Sequence, residues 1–177
     1  SSLSSSLPGK LNYQLGIEYL QETGSGKRIV DTTSTNMNES VAQNIAGWLS
    51  LRYQLTPRMQ LQASMRYGYN NRFDHPVLPA VNFSWRPNKE WQVRGSYALG
   101  FRAPSLKERH FNFIDVNHFI IGNPELKAEY SQNARVNISY EPETAANNQL
   151  SLGLKLFYNK IRDRITLAAF EPLRFNY

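Results

Sequence analysis

Apolar and polar residues alternate along most of the chain. Leu11, Tyr13, Leu15, Ile17 and Tyr19 interleave with Asn12, Gln14, Gly16 and Glu18, a period of two that places successive side chains on opposite faces of a strand. The pattern recurs with Ile45, Gly47, Leu49, Leu51, Tyr53 and Leu55 against Asn44, Trp48, Ser50, Arg52 and Gln54, and with Met59 to Tyr69 against Gln60, Gln62, Ser64, Arg66 and Asn70. Val77 to Trp85 forms a further strand, in which Pro79 is a weak point because proline cannot donate to a ladder. Trp91 to Phe101, Gln132 to Tyr140 and Leu150 to Tyr158 complete the set, and Phe175-Asn176-Tyr177 reads as the start of one more strand. The polar stretch from Glu22 to Ser40 reads as a long loop, and helical windows are few and short.

The charges separate the two faces. Glu18, Arg52, Arg66, Arg94, Arg135 and Lys155 all fall on the polar side, and no position on the apolar side is charged, although 19% of the chain is Asp, Glu, Lys or Arg. A soluble sandwich also alternates, but its strands usually run about 5 to 6 residues. These strands run to about ten or more, the length of a tilted membrane-crossing strand. Trp91 to Phe101 is ten steps at roughly 3.3 Å, or about 25 Å along the membrane normal at a tilt near 40°. Aromatic residues collect at both ends of such a span: Tyr53, Trp85, Trp91 and Tyr140 near short turns, and Tyr19, Tyr67, Tyr69, Phe101 and Tyr158 near long loops. The connections Thr56-Pro57-Arg58, Arg86 to Lys89 and Glu141 to Asn148 are short, and those between them are longer, as in outer-membrane barrels. The expected fold is therefore all-β, an antiparallel transmembrane β-barrel segment of seven to eight strands. The polar face, with Arg52, Arg66, Arg94, Arg135 and Lys155, is expected to line a hydrated lumen.

Composition narrows the alternatives. The mean hydropathy is -0.52, and no apolar run is long enough for a helical membrane span. The absence of cysteine removes disulfides and thiolate metal sites. A net charge of +6 would suit nucleic acid, but the Lys and Arg are spread along the chain with no basic tract or recognition helix, so no nucleic-acid partner is expected. The N-terminal SSLSSSLPGK has no charged region followed by an apolar one and does not read as a signal peptide.

One strand stops at an unusual corner. In GFRAPSLKERH, Gly100 to His110, the alternation ends at Arg102-Ala103-Pro104, where proline interrupts pairing and a long charged loop begins. That loop runs to IGNPELKAEY, with a turn at Asn123-Pro124, before Glu129 and Tyr130 resume the strand pattern. The segments Phe101-Arg102-Ala103-Pro104 and Asn123-Pro124-Glu125-Leu126, the latter followed by Lys127-Ala128-Glu129, resemble the paired signature of the TonB-dependent outer-membrane receptors. Phe157 to Ile165 is similar to a following strand of that family, so the resemblance is closest from Ser96 to Ile165 and architectural before it.

The resemblance implies a 22-stranded barrel in the bacterial outer membrane, closed by an N-terminal plug and driven through TonB, in which Arg52, Arg66, Arg94, Arg135 and Lys155 would hold the plug by ion pairs and hydrogen bonds or serve only as the general polarity of the wall. Residues 1–177 would then be part of the barrel domain, about a third of a receptor, with no plug domain and with strand edges that must pair elsewhere. The implied function is uptake of a scarce nutrient such as haem, a ferric siderophore or cobalamin, with outer-membrane lipid and lipopolysaccharide, TonB and the small-molecule nutrient as partners. No resident cofactor is expected, haem entering only as cargo. In haem receptors of this family a histidine between the two motifs meets the iron, which singles out His118 ahead of His110, while His75 lies in another loop of the same side. The plainer reading leaves both loop histidines in solvent. Arg72, Arg102, Lys107 and Arg109 are rim cations suited to anionic cargo or lipopolysaccharide phosphates, or simply solvated. An enzyme is not expected: Asp74 and His75 are adjacent, so they point apart on a strand, and no nucleophile accompanies them. The competing readings are a soluble all-β ligand-binding module and a small outer-membrane barrel or porin.

Overall fold

The computed structural model describes residues 2–6, 10–25, 39–114, 119–142, 151–171 and 174–176. Within them the elements are β1 (Ser2–Ser6), β2 (Leu11–Ser25), β3 (Glu39–Thr56), β4 (Met59–Asn70), β5 (Leu78–Trp85), β6 (Trp91–Arg102), α1 (Leu106–His110), β7 (Phe113–Ile114), β8 (Phe119–Ile121), β9 (Glu129–Tyr140), β10 (Leu152–Arg162), β11 (Ala168–Glu171) and β12 (Arg174–Asn176). One sheet has eight strands in the order β1-β2-β3-β4-β5-β6-β9-β10, a meander in which each neighbour is antiparallel. Its first and last strands are not paired to each other, so the sheet is open. No helix among the described residues is long and apolar enough to cross a membrane.

Register keeps the two faces apart across the whole sheet. Leu11, Tyr53, Leu61, Phe83, Gly95, Val136 and Leu156 form one continuous row of directly opposed residues, strand to strand. One position along, Asn12, Arg52, Gln62, Asn82, Ser96, Arg135 and Phe157 form the adjoining row on the other face. A slip of one residue in any strand would exchange the faces, so the alternation itself fixes the register. The apolar rows are not covered by protein: Leu15, Leu49, Leu51, Met65, Val81, Tyr97 and Leu154 are all exposed. Among the described residues the buried apolar side chains are Ala46, Leu106, Ala128 and Ile165, so the sheet has no core that would support a soluble sandwich.

The structure corrects several expectations. The serine-rich N-terminus is a strand, β1, paired with Asn12 to Gly16 of β2. The long polar stretch is shorter as a loop than its composition suggests, because the β2–β3 ladder continues through Ser25 opposite Glu39; backbone pairing does not require apolar side chains once a strand rises above the membrane. β5 has 8 residues rather than ten or more, since Pro79 can be paired with β4 but the β5–β6 ladder begins only at Ala80. That late start leaves the connection 71–77 little longer than the turn 86–90. Leu150 lies outside the described residues, and β10 continues past Tyr158 to Arg162. The chain end does not add a further strand to the eight of the main sheet: β12 pairs parallel with β8, in a second sheet of order β11-β12-β8-β7. That small sheet joins the segment after β10 to the connection between β6 and β9.

The short-turn end is bound together by backbone contacts. Arg86 N donates to Arg58 O at 2.8 Å, Glu141 N to Glu90 O at 2.8 Å, and the Arg58 guanidinium to Pro87 O at 2.7 Å. Asn88 Oδ1 accepts from the backbone N–H of Glu90 and Trp91, an Asx turn that starts β6. On the polar face Trp48 lies over Gly16, whose added Cβ would stand 2.6 Å from the indole, so glycine there makes room for a ring on the neighbouring strand.

Candidate functional site

The corner at the top of β6 is a folded unit. Ser105 caps α1: its hydroxyl accepts from Glu108 N–H at 3.3 Å, and the Glu108 carboxylate accepts from Ser105 N–H at 2.8 Å. The helix this capping box starts was not expected from the sequence, although the S-x-x-E spacing is a signal that could have found it. Pro104, Leu106, His110, Gly122 and Ala128 are all buried, so both signature segments contribute to one small core. Gly122 is required by close approach, because a Cβ there would meet the Arg109 carbonyl carbon at 2.7 Å and its oxygen at 2.8 Å. Gly122 N–H donates to Phe111 O at 3.0 Å, and Asn123 N–H to Glu108 O at 2.9 Å. Asn123 Oδ1 accepts from Glu125 N–H at 2.9 Å and sets the Asn-Pro turn.

Arg102 joins the two segments. Its guanidinium meets Glu108 at 2.6 and 3.0 Å through two nitrogens and Glu129 at 3.1 Å through Nε. Glu108 and Glu129 are 14% and 15% exposed, against 47% for Arg102, so two largely desolvated carboxylates share one cation whose outer edge meets water. The planar fork of arginine suits this arrangement and an ammonium would not. Glu108 and Glu129 were not anticipated as functional, because a carboxylate in a charged loop carries no local sign of its partner.

The site residues expected from sequence divide among three positions. Phe101, counted with the outward aromatics, turns to the rim instead: its ring centroid is 4.5 Å from that of His75 and 5.5 Å from that of Tyr130. His75 Nδ1 is 2.9 Å from Pro76 O. His110 is 5% exposed rather than solvated, because the last turn of α1 packs into the loop core. His118 lies outside the described residues. Arg109 donates to Pro124 O at 3.1 Å and stands 5.3 Å from the Phe73 ring centroid, and Arg72 donates to Ser40 Oγ at 3.0 Å and Val41 O at 3.3 Å. Lys107 is exposed on α1. Ala103 lines the rim cleft, Pro124 and Glu125 are exposed and Leu126 is half-buried.

These elements enclose a cleft of about 480 Å³ at the long-loop end of the polar face, lined by His75, Phe101, Ala103, Pro104, Arg66 and Asn44, among others. Arg66 is held by Glu18 through two contacts of 3.1 and 3.2 Å, and Asn44 Oδ1 is buried without a hydrogen-bond partner. α1, which follows β6, reaches β2 and β3, so the signature loop crosses the polar face above β4 and β5. Lower on that face, Arg94, Arg135 and Lys155 line a second concavity with Gln60, Gln62 and Ser84. Arg52 donates to Gln62 at 3.4 Å. Among the described residues no group of three or more His, Cys, Asp or Glu side chains stands together as a metal site.

Relatives share this architecture. The family described as "TonB dependent receptor-like, beta-barrel" matches residues 1–175, well beyond the interval from Ser96 to Ile165 in which the resemblance was expected to be closest. The iron-regulated outer membrane virulence protein of Vibrio cholerae is 29% identical over 126 residues, covering 70% of this chain and 19% of that protein. The heme/hemopexin utilization protein C of Haemophilus influenzae is 23% identical over 140 residues, covering 67% and 19%. The chain thus spans about a fifth of the length of these relatives. Among solved structures, the siderophore receptor PirA from Pseudomonas aeruginosa superposes on 99% of this chain and 32% of its own, with a TM-score of 0.73 at 19% identity. An uncovered apolar face, a polar face with clefts and a family match from end to end agree: this chain belongs to the TonB-dependent receptor β-barrel family of the bacterial outer membrane.

Proposed function

We propose that the chain forms part of the wall and rim of a receptor that imports an iron chelate, haem or a ferric siderophore, with energy delivered through TonB. The observation that carries this reading is the rim cleft beneath the signature loop, where His75, Phe101 and Arg66 converge at the end of the polar face. A flat aromatic or chelate ligand would stack against Phe101, donate to the His75 Nε2 that is left as an acceptor when Nδ1–H points to Pro76 O, accept from the Asn44 amide, and find cations at the rim. Arg102 has a different role here: its pairs with Glu108 and Glu129 hold the loop that roofs the cleft, so it acts on ligand by position. Lys107, exposed on α1, is the rim cation best placed to meet anionic groups of cargo or of lipopolysaccharide. The chain's work is binding and passage rather than catalysis. Names of relatives point to iron and haem rather than to cobalamin.

The test is an absorbance and fluorescence titration of the full-length receptor in detergent with haemin, a ferric catecholate siderophore and cobalamin. One of the two iron chelates is expected to bind, with His75→Ala weakening it about tenfold, the equivalent of roughly 1.4 kcal/mol. A Soret shift lost in His118→Ala identifies haem as the cargo, and a siderophore bound equally by that variant identifies the other class. Binding of cobalamin alone, or of none of the three, overturns the proposal.

A further inference from the structure

β10 continues beyond its apolar alternation. Leu152, Leu154, Leu156 and Tyr158 stand on the outward, apolar side, and the ladder with β9 runs on without a break through Lys160 opposite Gln132 and Arg162 opposite Tyr130. Lys160 and Arg162 therefore share the outward side with the leucines, and both are exposed. Between them Ile161 stands on the inward side. The rule of the sheet is thus inverted at this long-loop end, with cations outward and an apolar residue inward, so the outward face at this level meets something other than hydrocarbon.

Height indicates what that is. Leu152 opposes Tyr140, whose ring centroid is 4.6 Å from that of Trp91 at the short-turn end of the apolar band. From Leu152 to Arg162 is ten steps, about 33 Å along the strand and about 25 Å along the membrane normal. That is the height of the apolar band, so Arg162 stands at its far boundary, with Lys160 between it and the exposed ring of Tyr158. An aromatic ring followed by cations is the order in which a bilayer passes from acyl chains to headgroups. Lys160 and Arg162 start about 7 Å apart, a spacing that lets two long side chains close on one phosphate, the guanidinium taking two oxygens and the ammonium a third. Glu18, Glu108 and Glu129 are engaged by Arg66 and Arg102 at the polar face and its rim. Asp163 follows Arg162 directly, but its φ of 53° turns the chain out of the strand.

We infer that Lys160 and Arg162 form an outward-facing clamp for a phosphate of lipid A, the membrane anchor of lipopolysaccharide. The long-loop end of such barrels is extracellular, and lipopolysaccharide fills that leaflet of the outer membrane. The clamp faces lipid rather than the lumen, so neither plug nor cargo enters the inference. It depends on the assignment of the two faces and not on the iron-chelate reading.

The experiment is native mass spectrometry of the delipidated full-length receptor, titrated with bisphosphorylated lipid A, with the same lipid A after removal of its phosphates, and with phosphatidylglycerol. Saturable binding of bisphosphorylated lipid A is expected, weakened about tenfold or more in the combined Lys160→Gln and Arg162→Gln variant. The combined Lys160→Arg and Arg162→Lys variant should retain it, and Arg94→Gln on the opposite face should leave it unchanged. Loss of binding when the phosphates are removed supports the clamp. Lipid A binding indifferent to the double glutamine variant overturns it, as does equal binding of phosphatidylglycerol, which would mark a general attraction for anionic lipid. A double glutamine variant that melts earlier in lipid-free detergent also overturns it, assigning the cations to an acid on an adjoining strand. Failure of the iron-chelate titration with lipid A binding intact would discard the cargo reading and leave the clamp standing.

Discussion

At the scale of single residues, the signature segments are explained by Arg102, Gly122 and the small core they close. Arg102→Ala leaves Glu108 and Glu129 desolvated without their cation; since Arg102 is itself 47% exposed, a loss of about 1–2 kcal/mol of local stability is expected. It is measured as faster hydrogen exchange between residues 103 and 129 in the full-length receptor, and Arg102→Lys should not restore protection because the fork is lost. Unchanged exchange would show that the loop core holds without the ion pairs. Gly122→Ala forces its Cβ into the Arg109 backbone, which cannot yield as a flexible side chain would; a cost of about 1–3 kcal/mol is expected, read as increased protease cleavage in α1. The sequence exposed the resemblance of both segments. It did not expose the pairing of Arg102 with Glu129, the burial of His110 or the inward turn of Phe101, because these depend on which distant backbone lies opposite, and period-two alternation says nothing of that once a strand has ended.

At the scale of elements, the long strands were legible because their two environments differ so sharply. A charge on the apolar face is therefore expected to be costly where the same charge on the polar face is not. Leu49, opposite Leu15 and Met65, sits in mid-strand: Leu49→Arg should destabilise the refolded receptor in lipid vesicles by about 2–4 kcal/mol, while Asn82→Arg on the polar face should change it by less than about 1 kcal/mol. Equal effects at the two positions would contradict the assignment of faces. The elements that escaped sequence reading are those without alternation to read. β1 is serine on four of its five positions, β7 and β8 have 2 and 3 residues, and the second sheet forms by pairing pieces of separate connections, one of them parallel. Backbone hydrogen bonds hold such strands, and backbone groups are the same in every residue.

At the scale of the molecule, the open sheet has two edges with very different liabilities. β1 is short, a common means of blunting an edge, whereas β10 extends over 11 residues and is exposed along its length. An edge so long and exposed is expected to pair with another strand. The whole account turns on one face meeting hydrocarbon and the other meeting water. This chain has no cysteine, so single cysteines can be introduced cleanly at Leu15, Leu49, Val81, Tyr97 and Leu154 and at Gln14, Ser64, Asn82, Ser96 and Lys155 in the full-length receptor. With a fluorophore attached in lipid vesicles, the first set is expected to be quenched by a bilayer-embedded quencher and spared by aqueous iodide, with no such lipid quenching in the second set. Fluorophores of the first set shielded from both quenchers, as in a packed protein core, would contradict the account.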